Sequence, residues 1–295
     1  MRDRGFVVVQ DSQRGPYEPQ IGVAYALGTD GSAPTDLGAA SYAVASRVPD
    51  RVWLMTDDAT PDQRLRANVA FGRVRTVTEV DMEGRVTTPT RDLTEGRTVV
   101  GAVEGGLLTV RTDDVSSVAE VWDPASGHVR LAVAGTGTRF GAFADTFVDQ
   151  SFAGCSLDRP MRIHHLASGR RSDVPPPPGS TWARAALSPD GRLLAAVATG
   201  LPRAGDMGAS RFMGRVATAG TVFVFDTGTA RLIGQHDVTI WDGGPGLVWS
   251  PDSRWVFAAA DPERVTYFEA SGVRTTPATL TVPTGRDFLV MRLAA

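Results

Sequence analysis

The chain has 295 residues, a formal net charge of −3, 42% hydrophobic residues and one cysteine, Cys155. All of its basic residues are arginine, which excludes Schiff-base, P-loop and kinase-type lysine chemistry, and a lone cysteine excludes an internal disulfide and a multi-cysteine zinc site. The mild negative charge argues against a general nucleic-acid binder, so no nucleic-acid partner is expected.

A chain this long buries roughly 75% of its extended surface, and closed all-β architectures often use such a length as one domain. No stretch approaches the ~20 apolar residues of a membrane span, and no charged segment precedes an apolar one as in a signal peptide. No membrane insertion is expected. The location is expected to be cytoplasmic if Met1 is the true start, and extracellular and membrane-tethered if an N-terminal segment is missing.

Short apolar runs rich in Val, Ala, Phe and Trp recur throughout, broken by Gly, Pro and Asp, and no run keeps a helical period. This reads as all-β. The first strand is read at residues 6–9, followed by 22–26 and a weak outer strand. A hairpin at 41–48 and 51–55 turns at Pro49-Asp50. Another, at 98–103 and 107–111, turns at Glu104-Gly105-Gly106. A third, at 140–143 and 146–152, turns at Ala144-Asp145.

Two further hairpins are near copies of each other. Ala186-Leu187-Ser188-Pro189-Asp190-Gly191-Arg192-Leu193 is repeated as Val248-Trp249-Ser250-Pro251-Asp252-Ser253-Arg254-Trp255. In each, Ser accepts a backbone hydrogen bond and Pro pre-sets φ for a tight turn. A second kind of hairpin follows the first, with Asp or Ser before Gly at its turn: Asp123–Gly127, Ala167-Ser168-Gly169, Asp226-Thr227-Gly228 and Ala270-Ser271-Gly272. The strands of this type are placed at 119–122, 163–166 with 170–174, 221–225 with 230–233, and 265–268 with 273–276.

Two hairpins in series make a four-stranded blade, and the turn-to-turn spacing of about 40 to 60 residues is close to that of blade repeats. Five first hairpins are visible. The sixth is split, with 287–291 pairing with 6–9 and so removing an exposed edge. The expected fold is a single six-bladed β-propeller over residues 1–295, closed by pairing of the N- and C-terminal strands.

These Ser-Pro-Asp-Gly hairpins and Asp/Ser-x-x-Gly turns resemble the TolB-like and WD-type propeller repeats, most closely at 186–199 and 248–261. Trp122-Asp123 falls where the Trp-Asp dipeptide of such repeats would. The overall pattern is similar to propeller domains of GC-rich actinobacteria, which often sit outside the cell behind an N-terminal membrane segment.

Propeller geometry turns strand order into sidedness. With strands A to D running outward, the A–B and C–D turns share one face and the B–C and D–A connections share the other. The short turns fall on the first face. The long connections, 57–73, 153–160, 175–181, 200–220 and 236–246, fall on the second, where function concentrates. The 200–220 connection carries Arg203, Arg211, Phe212 and Met213, and the 236–246 connection carries Trp241 and Asp242. Arg, Met and aromatic residues are enriched at protein interfaces. A plain insertion, and a Trp that caps a blade core, are the alternatives.

Other candidates are weaker. His164-His165 point to opposite faces of a strand and cannot chelate one ion together. Asp57-Asp58 and Asp113-Asp114 show no ligand series. Residues 135–141 enter a strand rather than a helix, so they cannot cradle a phosphate as a P-loop does. Pro175–Pro178 reads as a polyproline II ligand or a rigid connection. Cys155 reads as a half-buried small residue. No catalytic set, metal or cofactor is expected.

The function expected is a monomeric, non-enzymatic propeller that binds a protein or peptide through the long-loop face. The competing class is a hydrolase or lyase with its site at the channel mouth on that face.

Overall fold

The computed structural model describes residues 4–10, 21–28, 33–57, 74–93, 97–112, 117–134, 138–150, 159–200, 217–241, 247–259, 264–271, 278–281 and 287–292. They form strands and turns. The strands are β1 (Arg4–Gln10), β2 (Gly22–Gly28), β3 (Thr35–Ala40), β4 (Tyr42–Ala45), β5 (Arg51–Asp57), β6 (Val74–Asp81), β7 (Val86–Asp92) and β8 (Arg97–Val103). They continue with β9 (Gly106–Thr112), β10 (Ser117–Trp122), β11 (Val129–Ala134), β12 (Thr138–Phe143), β13 (Thr146–Gln150), β14 (Met161–His165), β15 (Arg171–Val174) and β16 (Ser180–Leu187). The last are β17 (Leu193–Gly200), β18 (Ala217–Asp226), β19 (Leu232–Trp241), β20 (Leu247–Trp249), β21 (Trp255–Ala259), β22 (Arg264–Glu269), β23 (Ala278–Thr281) and β24 (Asp287–Arg292).

They pair into six four-stranded antiparallel sheets, in the orders β24-β1-β2-β3, β4-β5-β6-β7, β8-β9-β10-β11, β12-β13-β14-β15, β16-β17-β18-β19 and β20-β21-β22-β23. Five are simple meanders, and the first takes its leading strand from the other end of the chain. This is an all-β propeller arrangement. The chain divides into two compact units, residues 1–138 with 285–295, and residues 139–284.

The expected pairing of the chain ends is present in the first unit. β1 and β24 are antiparallel, with Phe6 opposite Val290 and Val8 opposite Phe288.

Why the strands read as continuous apolar runs is visible in β5. Val52 and Leu54 belong to one buried cluster with Val7, Val9, Ala24, Leu37 and Val80. Trp53 and Met55 belong to another with Tyr42, Val99, Leu107 and Trp122. Successive side chains point to opposite faces, so a sheet covered on both sides needs apolar residues at every position. β17 repeats the pattern in the second unit, with Ala195 and Val197 in one cluster and Leu194, Ala196 and Ala198 in the next. Each fully buried Val or Leu contributes about 1.5–3 kcal/mol.

Leading strands of neighbouring sheets also bond directly. The Tyr42 hydroxyl lies 3.2 Å from both the carbonyl and the amide of Val99, joining β4 to β8. Trp249 Nε1 donates to Ala186 O at 2.9 Å, joining β20 to β16.

The repeated turns form as expected. The amide of Leu193 donates to Ser188 Oγ at 2.9 Å, and Ser188 Oγ donates to Asp190 Oδ1 at 2.6 Å. In the second copy, the Trp255 amide donates to Ser250 Oγ at 2.9 Å. The fourth turn position is left-handed in both, with Gly191 at φ 71 and Ser253 at φ 56. Glycine takes this conformation freely, whereas serine holds it at a cost of about 1–2 kcal/mol.

Four strand assignments are corrected. The second hairpin of the second sheet, β6 and β7, turns at Asp81–Gly84 by the same Asp-x-x-Gly rule and adds to the hairpins expected from sequence. The outer strand of the sixth sheet is β23, where Val265 pairs with Leu280, and the expected 273–276 segment lies outside the described residues. β18 starts at Ala217 rather than at 221, so the connection before it ends earlier than 220. Residues 236–241, expected in a loop, are strand. Gly234, His236 and Val238 are buried while Gln235, Asp237 and Thr239 are exposed, so a two-residue period persists through a polar segment in which apolar residues alone could not reveal it.

Candidate functional site

Antiparallel order gives every sheet two unlike ends. At one end lie the turns within hairpins, and those at Asp123–Gly127 and Asp226–Thr229 are short and internally hydrogen-bonded. Asp226 Oδ1 accepts from the amide and the hydroxyl of Thr229, both at 2.7 Å. Asp123 accepts from the Ala125 amide at 2.9 Å and the Ser126 hydroxyl at 2.8 Å. These bonds hold both carboxyls below the ordinary carboxylate range.

The two hairpin turns of a sheet are also tied together. The Leu166 amide donates to Asp145 O, Thr227 to Arg192 O and Ala270 to Arg254 O, at 2.8 to 2.9 Å. Thr227 Oγ1 adds a bond to Gly191 O at 2.7 Å.

Glu79 organises the same end of the second sheet. Its carboxylate accepts from Ser46 Oγ at 2.6 Å, Thr87 Oγ1 at 2.8 Å, Thr88 Oγ1 at 3.0 Å and Arg51 Nη1 at 3.3 Å. Burial alone would raise its pKa. The three hydroxyls and the guanidinium outweigh it and hold the group below its usual value.

The opposite end carries the connections between hairpins. In the fourth sheet the feet of the connection between β13 and β14 are clamped. Asp149 is fully buried and accepts from Arg162 Nε at 2.9 Å and Nη2 at 2.5 Å. His164 Nε2 lies 2.9 Å from the same carboxylate, and its ring stacks on Phe147 at 5.4 Å. Gln150 Nε2 donates to Arg159 O at 2.8 Å, closing the base of the connection. A carboxylate sealed from solvent and gripped by a guanidinium is fixed in position by its partners. Arg97 and Glu120 form a second, largely buried pair at 3.0 Å in the third sheet.

The sequence candidates fall as follows. Arg203, Arg211, Phe212, Met213 and Asp242 lie outside the described residues, as do Asp58, Asp113, Asp114 and Cys155. Trp241 is the last residue of β19, and its backbone pairs with Ala217, the first residue of β18. The two histidines diverge as expected: His164 meets Asp149, while His165 Nε2 is 3.0 Å from Thr227 O. Pro175–Pro178 form part of a tight connection, with the Ser180 hydroxyl on Pro177 O at 2.6 Å and Trp182 Nε1 on Val174 O at 3.0 Å. Residues 138–143 are strand, and 135–137 lie outside the described residues. Among the described residues, no group of three or more His, Cys, Asp or Glu is arranged to hold a metal ion, and no helix is long and apolar enough to cross a membrane.

Sequence reasoning passed over Asp149, Arg162, Glu79 and Glu120. The available signal was a lone carboxylate inside an apolar strand, as in Phe147-Val148-Asp149 and Thr78-Glu79-Val80. Such a residue is rarely buried unless it is paired.

No protein-family model matches the chain, and no curated protein matches its sequence. Solved structures do match its fold. KlAtg21, in its complex with the coiled coil of AgAtg16, is 11% identical, with a TM-score of 0.53 over 94% of this chain and 85% of that one. A functionally unknown protein from Desulfotomaculum acetoxidans is 11% identical, with a TM-score of 0.52 over 97% of this chain and 90% of that one. The likeness is one of fold alone.

Proposed function

We propose that the chain is a non-enzymatic protein- or peptide-binding module. In this reading its six sheets close into one six-bladed ring of the TolB-like or WD-type, and its binding surface lies where the connections between hairpins emerge. Arg203, Arg211, Phe212, Met213, Trp241 and Asp242 are its contact residues.

The observation that carries the reading is the pairing of Ala217 with Trp241. The 201–216 connection ends at Ala217 and the 242–246 connection starts after Trp241, so the two candidate segments share a root. A mixed apolar and cationic patch anchored there has the composition of interface hot spots. The hairpin-turn ends, consumed by their own hydrogen bonds, offer less. KlAtg21, similar in fold, is bound to a coiled coil in its structure, an example of this architecture serving a protein partner.

The test is affinity capture from the native host with the wild-type chain and the Phe212→Ala/Trp241→Ala double variant, followed by titration with the purified partner. The expected result is a partner lost from the double variant while its melting curve is unchanged. Equal recovery by both chains would overturn the reading, as would loss caused only by changes at the hairpin turns, such as Asp226→Ala.

A further inference from the structure

The outer strands of the six sheets are not equally protected. β15 and β23 have only 4 residues each. β3 has 6 residues and is interrupted by Gly38 at φ 115. β7 carries Pro89, which lacks an N–H, and its pairing with β6 shifts register at Val77/Glu79 and again at Glu79/Val80. β11 has 6 residues and an exposed Arg130. Short length, proline, bulges and charge are the devices that keep sheet edges from pairing with other chains.

β19 lacks almost all of them. It has 10 residues, LIGQHDVTIW, with no proline and one charged side chain, Asp237. From Gly234 to Trp241 it pairs with β18 without interruption, the single register shift lying near its start at Val224/Phe225. Leu232 and Ile233 are exposed. Among the described residues no strand pairs with its outer edge.

We propose that this edge pairs antiparallel with β19 of a second copy of the chain, in a two-fold register centred on His236. The occupant is set by self-complementarity. Gln235, Asp237 and Thr239 share the exposed face of the strand with Ile233. Centring on His236 sets Gln235 opposite Asp237 twice and Ile233 opposite Thr239 twice. Centring on Asp237 would oppose two carboxylates, and centring on Gln235 would set Ile233 against Asp237. Of these three registers only the first is free of conflict, and cross-strand neighbours are the unit of sheet pairing. Thr221 Oγ1 donates to Asp237 Oδ1 at 2.9 Å, which orients the carboxylate so that its other oxygen can accept the Gln235 amide of the second copy. The resulting contact is isologous, the commonest way for a chain to self-associate.

The test is sedimentation of the full chain from about 1 μM to about 1 mM, with two variants at one exposed position. Gln235→Asp faces Asp237 with a like charge and should weaken the dimer about tenfold, while Gln235→Lys faces it with an opposite charge and should tighten the dimer by a similar factor. Both should melt as the wild type does. In a parallel measurement, hydrogen exchange of the 234–241 amides should slow as concentration rises. A wild-type chain that stays monomeric to about 1 mM overturns the proposal, and an edge reserved for an extended peptide of another protein would give that result. A dimer that responds alike to both variants, or exchange independent of concentration, also overturns it.

Discussion

The amide of Asp190 donates to the hydroxyl of Ser253 at 3.3 Å, so the two copies of the repeated turn bond to each other across 63 residues of chain. Ala186 and Trp249, one strand back in the same two copies, are joined by a second bond across the same separation. The internal repeat therefore lies at a joint between neighbouring sheets as well as within each of them.

Trp249 is the stronger half of that joint. Trp249→Phe keeps most of the buried ring but removes the donor to Ala186 O, and should cost about 1 kcal/mol. Trp249→Ala should cost about 3–5 kcal/mol through the cavity it leaves. Urea denaturation of the two variants checks the order, and equal losses would assign the stabilisation to the hydrogen bond rather than to packing.

Removing Arg162 should be worse than removing the whole Asp149 pair. Arg162→Met leaves a buried carboxylate without its guanidinium, which typically costs about 3–5 kcal/mol. The double variant Arg162→Met/Asp149→Leu should recover a large part of that loss. A double variant no more stable than the single one would show that His164 and the chain around Asp149 depend on the carboxylate itself.

Glu79 sets an acid limb of stability. Burial opposes its ionised form, but the bonds from Ser46, Thr87, Thr88 and Arg51 depress its pKa in the folded chain below the ordinary glutamate value. The unfolded chain therefore takes up the proton first as pH falls. The stabilisation is fully present above about 4.5 and is lost as pH drops through the lower folded value. Glu79→Gln should be less stable at neutral pH and should lose less stability between pH 5 and 3 than the wild type, as read by melting curves. Parallel pH profiles for the two chains would contradict this.

Deleting residues 287–295 removes β24 and exposes the free edge of β1. The first sheet would drop to three strands, and a loss of several kcal/mol is expected from the pairing and side-chain burial given up. Adding the missing segment back as a synthetic peptide should raise the melting temperature in a concentration-dependent way. A truncated chain that melts with the full-length one would refute a structural role for the pairing.

The hairpins are legible in the amino-acid order, because their determinants are local. A Ser-Pro-Asp turn needs only its own side chains, as Ser188 with Asp190 and Ser250 with Asp252 demonstrate. The pairing of the two chain ends is legible there too, since two apolar runs without sequence neighbours had only each other to pair with. Tertiary structure decided what depends on distant partners. β19 continues through Gln235 and Asp237 because β18 offers it a complete ladder, whereas its polar residues taken alone read as loop. Asp149 and Glu79 became buried, hydrogen-bonded carboxyls only when Arg162, Ser46 and Thr87 were brought to them from other parts of the chain. Polar burial is affordable only with such partners, and which partners arrive is a property of strand register rather than of local sequence.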